Sequence, residues 1–144
     1  MKKEIIRIGQ IEIRFLLEGT DTNGQLAMFE FMVPAGAKVP VPHSHEHYAE
    51  TIYGLEGVMT FTVNAKPMDL APGETCFIPH GAVHAFNNLT PANAKALAVV
   101  TPALIGPGFF RETAAIVNAG GSPDLEKLKA VLTRHGLVPA TPQK

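Results

Sequence analysis

The sequence predicts an all-β domain, a sandwich or barrel, followed by two C-terminal α-helices. Up to about residue 105 it contains short runs rich in Val, Ile, Phe and Thr, several of which alternate apolar with polar residues. Gly and Pro separate these runs, and after Pro107 the apolar spacing changes to that of a helix. A chain of 144 residues with 46% hydrophobic residues suits one domain. We therefore assign 1–105 to the β-barrel and 106–144 to a helical extension packed on it.

The β-like runs follow one another with turn signals between them, which is typical of an antiparallel sandwich or barrel. In chain order they read EIIRIG, IEIRFLL, LAMFEFMV, ETIYGLEG, VMTFTV, PMDL, TCFI, VHAFNN and KALAVVT. The single cysteine, Cys76, is expected to be a small buried hydrophobic residue, and it excludes an internal disulfide. Aromatic side chains expected in the core are Phe61, Phe77, Phe86, Phe109 and Phe110.

The C-terminal region predicts two helices. The stretch GFFRETAAIVNAGG has helical spacing and ends in a glycine pair that can cap it. One of its two phenylalanines is expected to belong to the core and the other to cover the cavity entrance. In SPDLEKLKAVLTRHG, Ser122 suits the N-cap, Pro123 the first helical position, and Gly136 ends the helix. His135 is expected to act as a cation at the C-terminal end of the dipole. The tail VPATPQK is expected to be loose.

Charge and hydropathy exclude several classes of partner. The formal net charge is −1, without a basic run, so nucleic acid and anionic membranes are not expected partners. The N-terminal stretch MKKEIIRIGQIEIRF lacks the apolar segment of a signal peptide, and no apolar run approaches about 18 residues. A cytoplasmic location is therefore expected.

The N-terminal strands are long and partly apolar, which predicts a homodimer formed through a sheet edge.

Five of the six histidines lie in two short stretches, VPHSHEHYAE and IPHGAVHAFNN. His43 and His45 are two apart, so on a strand both imidazoles point to one face. Glu50 has the opposite parity and joins them only if a turn intervenes, for which EHYA is short enough. Two histidines and one carboxylate suit a first-row metal with open positions, and His84 could add a fourth ligand. Candidates are Fe, Mn, Ni, Co, Cu or Zn, and the absence of thiolates disfavours a closed structural zinc site.

The spacing of these residues resembles the two sequence motifs of the cupin superfamily. The first motif reads Gly36-x6-His43-x-His45-x4-Glu50-x6-Gly57, and the second reads Gly73-x5-Pro79-x-Gly81-x2-His84-x3-Asn88. Six residues instead of the usual five precede His43, a difference that affects only the loop before it. The resemblance implies a cupin jelly-roll β-barrel that holds a metal through His43, His45, Glu50 and His84. It assigns the glycines and Asn88 to structure.

Several histidines and the ligand set itself have a plainer interpretation. The four ligand-type residues could form a polar patch at a strand end. His47 could support the ligands or face solvent, and Glu46 is expected to be solvated. His80, between Pro79 and Gly81, is expected in an exposed turn, with a substrate-side role as the alternative.

The resemblance leaves three functions open, because the fold hosts enzymes and binders alike. The first is a metal-dependent dioxygenase, similar to quercetin dioxygenase-like cupins, that acts on a small neutral, aromatic or enolic molecule with Glu50 as proton acceptor. The second is a metal-dependent isomerase, epimerase or lyase, and the third is a non-catalytic small-molecule binder. Few Lys or Arg residues lie between Gly36 and Asn88, which disfavours sugar phosphates. We favour the dioxygenase class.

Overall fold

The computed structural model describes residues 4–140, which form eleven β-strands and two α-helices. The strands are β1 Ile5–Ile8, β2 Ile11–Leu17, β3 Ala27–Val33, β4 His43–His45, β5 Ala49–Glu56, β6 Met59–Val63, β7 Lys66–Leu70, β8 Thr75–Ile78, β9 His84–Asn87, β10 Ala94–Thr101 and β11 Leu137–Pro139. The helices are α1 Pro107–Val117 and α2 Leu125–Arg134, and a short 3₁₀ helix spans Gly19–Asp21. Neither α-helix of the described region is long and apolar enough to cross a membrane.

The strands form two antiparallel sheets around one hydrophobic core. One sheet has the order β1-β2-β3-β10-β5-β8, and the other has the order β11-β4-β9-β6-β7. Strands β3 and β10 alternate strictly between buried and partly exposed residues, which is the pattern of strands with one face on a core. The predicted all-β architecture with two C-terminal helices is confirmed.

The aromatic residues fill this core with one exception. Phe61 is buried, Phe86 is half-buried against the core, and Cys76 is a buried thiol as expected. The prediction for Phe77 was wrong, because its side chain is 61% exposed. Successive residues of a strand point to opposite faces, and Cys76 and Ile78 hold the inward positions of β8.

Both phenylalanines of α1 pack inward. The Phe110 ring lies 5.7 Å from the Phe15 ring and 5.2 Å from the Phe29 ring, measured between centroids. The Phe109 ring lies 5.0 Å from Phe110 and 5.3 Å from the His135 imidazole. Neither ring is exposed, so both meet the expectation of a core aromatic, and the covering of the cavity entrance by one of them stays a prediction.

The C-terminal end of α1 and the N-terminal end of α2 differ from the sequence-based expectation. Helix α1 ends before the glycine pair, with Asn118 as its C-cap. The Asn118 amide donates to the Arg7 carbonyl oxygen (2.7 Å), and its Oδ1 accepts from the Gly9 amide (2.8 Å), which ties the helix end to the β1–β2 turn. Helix α2 begins at Leu125 and is capped by Asp124, so the predicted N-cap at Ser122 and first helical position at Pro123 were both wrong. The Asp124 carboxylate accepts from the backbone N–H groups of the first turn.

The C-terminal segment is not loose where the structure describes it. Val138 and Pro139 belong to β11, which pairs with β4, and the Ala140 amide donates to the Pro42 carbonyl oxygen (2.9 Å). The remainder of the predicted loose tail, 141–144, lies outside the described residues.

The end of α2 is paired with a carboxylate of α1. Arg134 donates to the Glu112 carboxylate (2.8 Å), and His135 Nε2 lies 2.5 Å from the same carboxylate. His135 thus sits at the end of α2, as expected, and is paired with a carboxylate of α1.

Strand β1 lies at the edge of the six-stranded sheet; Asn118 caps its Arg7 carbonyl oxygen, and its outer side near Ile5 can pair with another chain. We expect a homodimer formed through β1. In sedimentation-velocity experiments at micromolar concentration, Ile5→Lys should shift the protein toward monomer, because Ile5 is 44% exposed on this strand. Leu89→Lys, at a 72% exposed position between β9 and β10, is the matched control and should leave the dimer intact. A wild-type protein that sediments only as a monomer would contradict the prediction.

Candidate metal centre

Three predicted histidines come together between the two sheets. His43 and His45 occupy β4, and His84 begins β9, where it pairs with His43 across the sheet. One ligand nitrogen from each of the three imidazoles lies within 4.8 Å of the other two. His45 and His84 are buried. The alternation within β4 and the pairing of β4 with β9 therefore position three imidazoles for one metal ion.

Glu50 reaches the same point from the opposite sheet. Its Oε2 lies 3.9 Å from His45 Nε2 and 3.8 Å from His84 Nε2. The segment 46–48 leaves β4, and β5 begins at Ala49, so the reversal expected in EHYA places Glu50 on the inner side of β5 despite its parity. The structure thus brings three of the predicted residues, His43, His45 and His84, into one group and places the Glu50 carboxylate within 4 Å of two of them.

Backbone carbonyls orient two of the imidazoles. His43 Nδ1 lies 2.9 Å from the Val41 carbonyl oxygen, and His84 Nδ1 lies 3.0 Å from the Ala82 carbonyl oxygen. A carbonyl oxygen only accepts, so each Nδ1 carries the hydrogen and each Nε2 keeps its lone pair. Hydrogen bonds of this kind commonly orient histidine ligands in metal sites.

Burial lowers the pKa of the three histidines and raises the pKa of Glu50, so it favours the neutral form of each group. Desolvation, with the charge of His84, lowers the pKa of His43 to about 4. Desolvation, with the charges of His84 and His43, lowers the pKa of His45 to about 2, and burial also lowers the pKa of His84. Burial raises the pKa of Glu50 to about 7. Neutral imidazoles are the form that binds a cation, so the three imidazoles are in their metal-binding form at neutral pH.

The three imidazoles are positioned for a single metal ion, and the Glu50 carboxylate lies beside two of them. Metal–nitrogen bonds of about 2.1 Å place two ligand atoms of one ion roughly 3–4 Å apart. The separations of 3.8 and 3.9 Å between the Glu50 oxygen and the two imidazole nitrogens fall in this range. Nitrogen and carboxylate donors without a thiolate suit the first-row divalent ions.

The remaining histidines of the two motifs stay outside this cluster. The His47 side chain is 70% exposed and lies 3.7 Å from the Glu46 carboxylate, itself 58% exposed. His80 is exposed in the turn between β8 and β9. These positions agree with a solvent-facing interpretation of all three side chains.

Two of the motif residues assigned to structure, Asn88 and Gly57, have close structural contacts. The Asn88 amide donates to the carbonyl oxygens of Val33 (2.8 Å) and Ala92 (2.7 Å), and its Oδ1 accepts from the backbone amide of Thr90 (2.9 Å). At Gly57, φ is +63°, and a Cβ would lie 2.2 Å from the Asn93 carbonyl oxygen. Any other residue would therefore clash in this turn.

Sequence reasoning missed one residue of the cluster, Tyr48. Its ring is 2% exposed and stacks on the His45 imidazole, with centroids 4.2 Å apart and planes 16° apart. Among the described residues, neither the Tyr48 hydroxyl nor His45 Nδ1 has a hydrogen-bond partner. The only signal in the sequence is an aromatic residue inside the turn between the second histidine and the glutamate.

Comparison with known proteins supports the interpretation of the two motifs. Residues 29–100 match the family described as Cupin domain. The chain belongs to the cupin family. This cupin is 34% identical over 98 residues to a quercetin 2,3-dioxygenase from Bacillus subtilis (strain 168), covering 68% of the present chain and 28% of the dioxygenase. It therefore spans little more than a quarter of the length of that relative.

Solved structures agree with the fold. The cupin resembles a predicted oxalate decarboxylase from Thermotoga maritima with a TM-score of 0.63 and 24% identity, over 71% of this chain and 93% of that chain. It also resembles a cupin-superfamily sugar phosphate isomerase from Silicibacter pomeroyi with a TM-score of 0.57 and 25% identity, over 65% of this chain and 60% of that chain. The predicted jelly-roll cupin fold is thereby confirmed.

Proposed function

We propose that this cupin binds one divalent transition metal through His43, His45, His84 and Glu50. The cluster of three imidazoles supports the proposal, since their ligand nitrogens lie within 4.8 Å of one another. The Glu50 carboxylate supplies a negative charge that partly offsets that of the ion. The donor set accommodates Fe, Mn, Ni, Co, Cu or Zn.

We further propose that the site acts as a metal-dependent dioxygenase on a small neutral, aromatic or enolic molecule. A bound divalent transition metal would supply a Lewis acid and, when it is redox-active, a centre for dioxygen chemistry. The Glu50 carboxylate carries the proposal: it is a base in a buried site, beside the imidazoles where a substrate hydroxyl would bind. It would accept the hydroxyl proton and leave an enolate. The likeness to the Bacillus subtilis dioxygenase supports the same chemistry.

The surroundings of the site favour a substrate without a phosphate group. Ile52 and Ile78 on the inner face of the six-stranded sheet are buried and apolar. Between Gly36 and Asn88 the basic residues are Lys38 and Lys66, and both are exposed. This stretch therefore places no cation inside the barrel to bind a phosphate.

A metal-dependent isomerase, epimerase or lyase is the second candidate, because the fold also resembles that of a sugar phosphate isomerase. In this reaction Glu50 would move a proton on the substrate, and oxygen would not be consumed. A binder without turnover is the third candidate. The requirement for oxygen separates the first two, and turnover separates both from the third.

Oxygen uptake by metal-loaded protein tests the proposal. The purified protein is analysed for metal, reloaded with each candidate ion and supplied with flavonols, diketones and catechols in an oxygen-electrode cell. We expect substrate-dependent uptake in proportion to bound metal. Substrate conversion without uptake would instead support the isomerase or lyase, and ligand binding without any conversion would support the binder.

A further inference from the structure

The buried hydroxyl of Tyr48 is not used by the fold. The residue is 2% exposed, and within the described part of the chain its hydroxyl has no hydrogen-bond partner. A buried polar group without a partner disfavours the folded state, so such groups are rare and usually have another role. The stacking on His45 needs only the aromatic ring, which phenylalanine would provide equally well.

The ring of Tyr48 lies beside the candidate metal centre. The Tyr48 and His45 ring planes differ by only 16°, so the phenol lies flat against one of the three imidazoles. A tyrosine phenol has an ordinary pKa of about 10, so it keeps its proton at neutral pH and can act as a hydrogen-bond donor.

We propose that the Tyr48 hydroxyl donates a hydrogen bond to the oxygen anion of an enolate or catecholate bound at the His43, His45, His84 and Glu50 site. The inference rests on the proposed function, because it assumes a ligand of that class. The hydroxyl gains its missing partner when the ligand binds, and the ring holds the donor in place beside His45. Tyr48 is thus a residue that selects and orients the ligand, and it takes no proton.

The test compares wild type with Tyr48→Phe, both loaded with Co(II) and titrated with 4-nitrocatechol by absorbance. Phenylalanine keeps the ring stack and removes only the donor. We expect the Kd for 4-nitrocatechol to rise about tenfold, the size expected for a lost hydrogen bond to a charged group. Bound Co(II) should stay the same, and the metal-free variant should unfold at the same or a higher temperature. Tyr53→Phe, at a 43% exposed position on β5, is the matched control and should change none of these values.

Each outcome bears on a different part of the proposal. An unchanged Kd in Tyr48→Phe, with wild-type binding intact, overturns the role of Tyr48 and leaves the proposed function standing. A wild-type protein that binds Co(II) but not 4-nitrocatechol overturns the enolate or catecholate ligand class and this inference with it. A lower unfolding temperature together with loss of Co(II) would show that the hydroxyl serves the fold, and it also overturns the inference.

Discussion

Replacing His45 and His84 together by alanine is expected to reduce the bound metal from about one equivalent per chain to almost none. Both imidazoles are buried, and both Nε2 atoms lie within 4 Å of the Glu50 carboxylate. The double variant leaves His43 and Glu50 as the only two donors of the proposed set, too few to hold an ion firmly. Metal content per folded chain, measured by elemental analysis after gel filtration, checks the result.

The chain offers a matched control for this experiment in its exposed histidines. The double variant His47→Ala, His80→Ala removes the same number of imidazoles from the same two motifs, at exposed positions outside the cluster. It should keep the metal content of the wild type. Circular dichroism establishes that both double variants are folded. Full metal occupancy in folded His45→Ala, His84→Ala would rule out the proposed ligand set.

The sequence predicted the part of the site that depends on local spacing. His43 and His45 share a face because a strand alternates, and Glu50 joins them because three residues reverse the chain. The meeting with His84 depends on the pairing of β4 with β9, which periodicity alone does not predict. That step came from the resemblance to the cupin motifs, and the structure agrees with it.

Errors in the predicted fold occurred where local patterns were ambiguous. In the run TCFI three apolar residues follow one another, so periodicity does not say which of them faces inward, and Phe77 turned out to face solvent. Ser122 and Asp124 are both good N-cap residues, and only the backbone geometry of the first turn selects Asp124.

Other features depend on contacts between residues far apart in the chain. Strand β11 is only three residues long, contains a proline, and forms by pairing with β4, whose residues lie more than 90 positions earlier. Tyr48 was missed because its stacking on His45 and its lack of a hydroxyl partner appear only in three dimensions. The pairing with β11 also means that the C-terminal segment supports the strand that carries His43 and His45.

The substitution Glu50→Gln is expected to lower turnover by roughly two or more orders of magnitude while the protein keeps appreciable metal. Glutamine preserves the size of the side chain and an oxygen donor, but it removes the negative charge and the basicity. Three imidazoles remain to hold the ion. A reaction in which Glu50 takes the substrate proton therefore loses its base and retains most of its site.

Metal-free Glu50→Gln provides a check on folding. Burial raises the pKa of Glu50 from its ordinary value of 4.5 to about 7, so between these pH values the folded state holds a proton that the unfolded state has lost. The contribution of Glu50 to stability is therefore greatest below pH 4.5 and falls as the pH rises to 7. Glutamine stays neutral and avoids this loss. At pH 8 the metal-free variant should unfold at the same or a higher temperature than wild type, and a much lower temperature would point to damaged packing instead.

The deciding quantity is activity per bound metal, compared between wild type and Glu50→Gln on the substrate that the oxygen-uptake screen identifies. If Glu50 is the base, activity per bound metal falls by the same roughly two or more orders of magnitude as turnover, because the remaining metal has no group beside it to take the proton. If Glu50 only ligates, activity falls in proportion to metal lost and activity per bound metal is unchanged, which would refute the base role. A binder would show no turnover in either form and would still bind ligand. Because the Glu50 carboxylate lies within 4 Å of both His45 Nε2 and His84 Nε2, where a substrate hydroxyl would bind, we expect the first of these results.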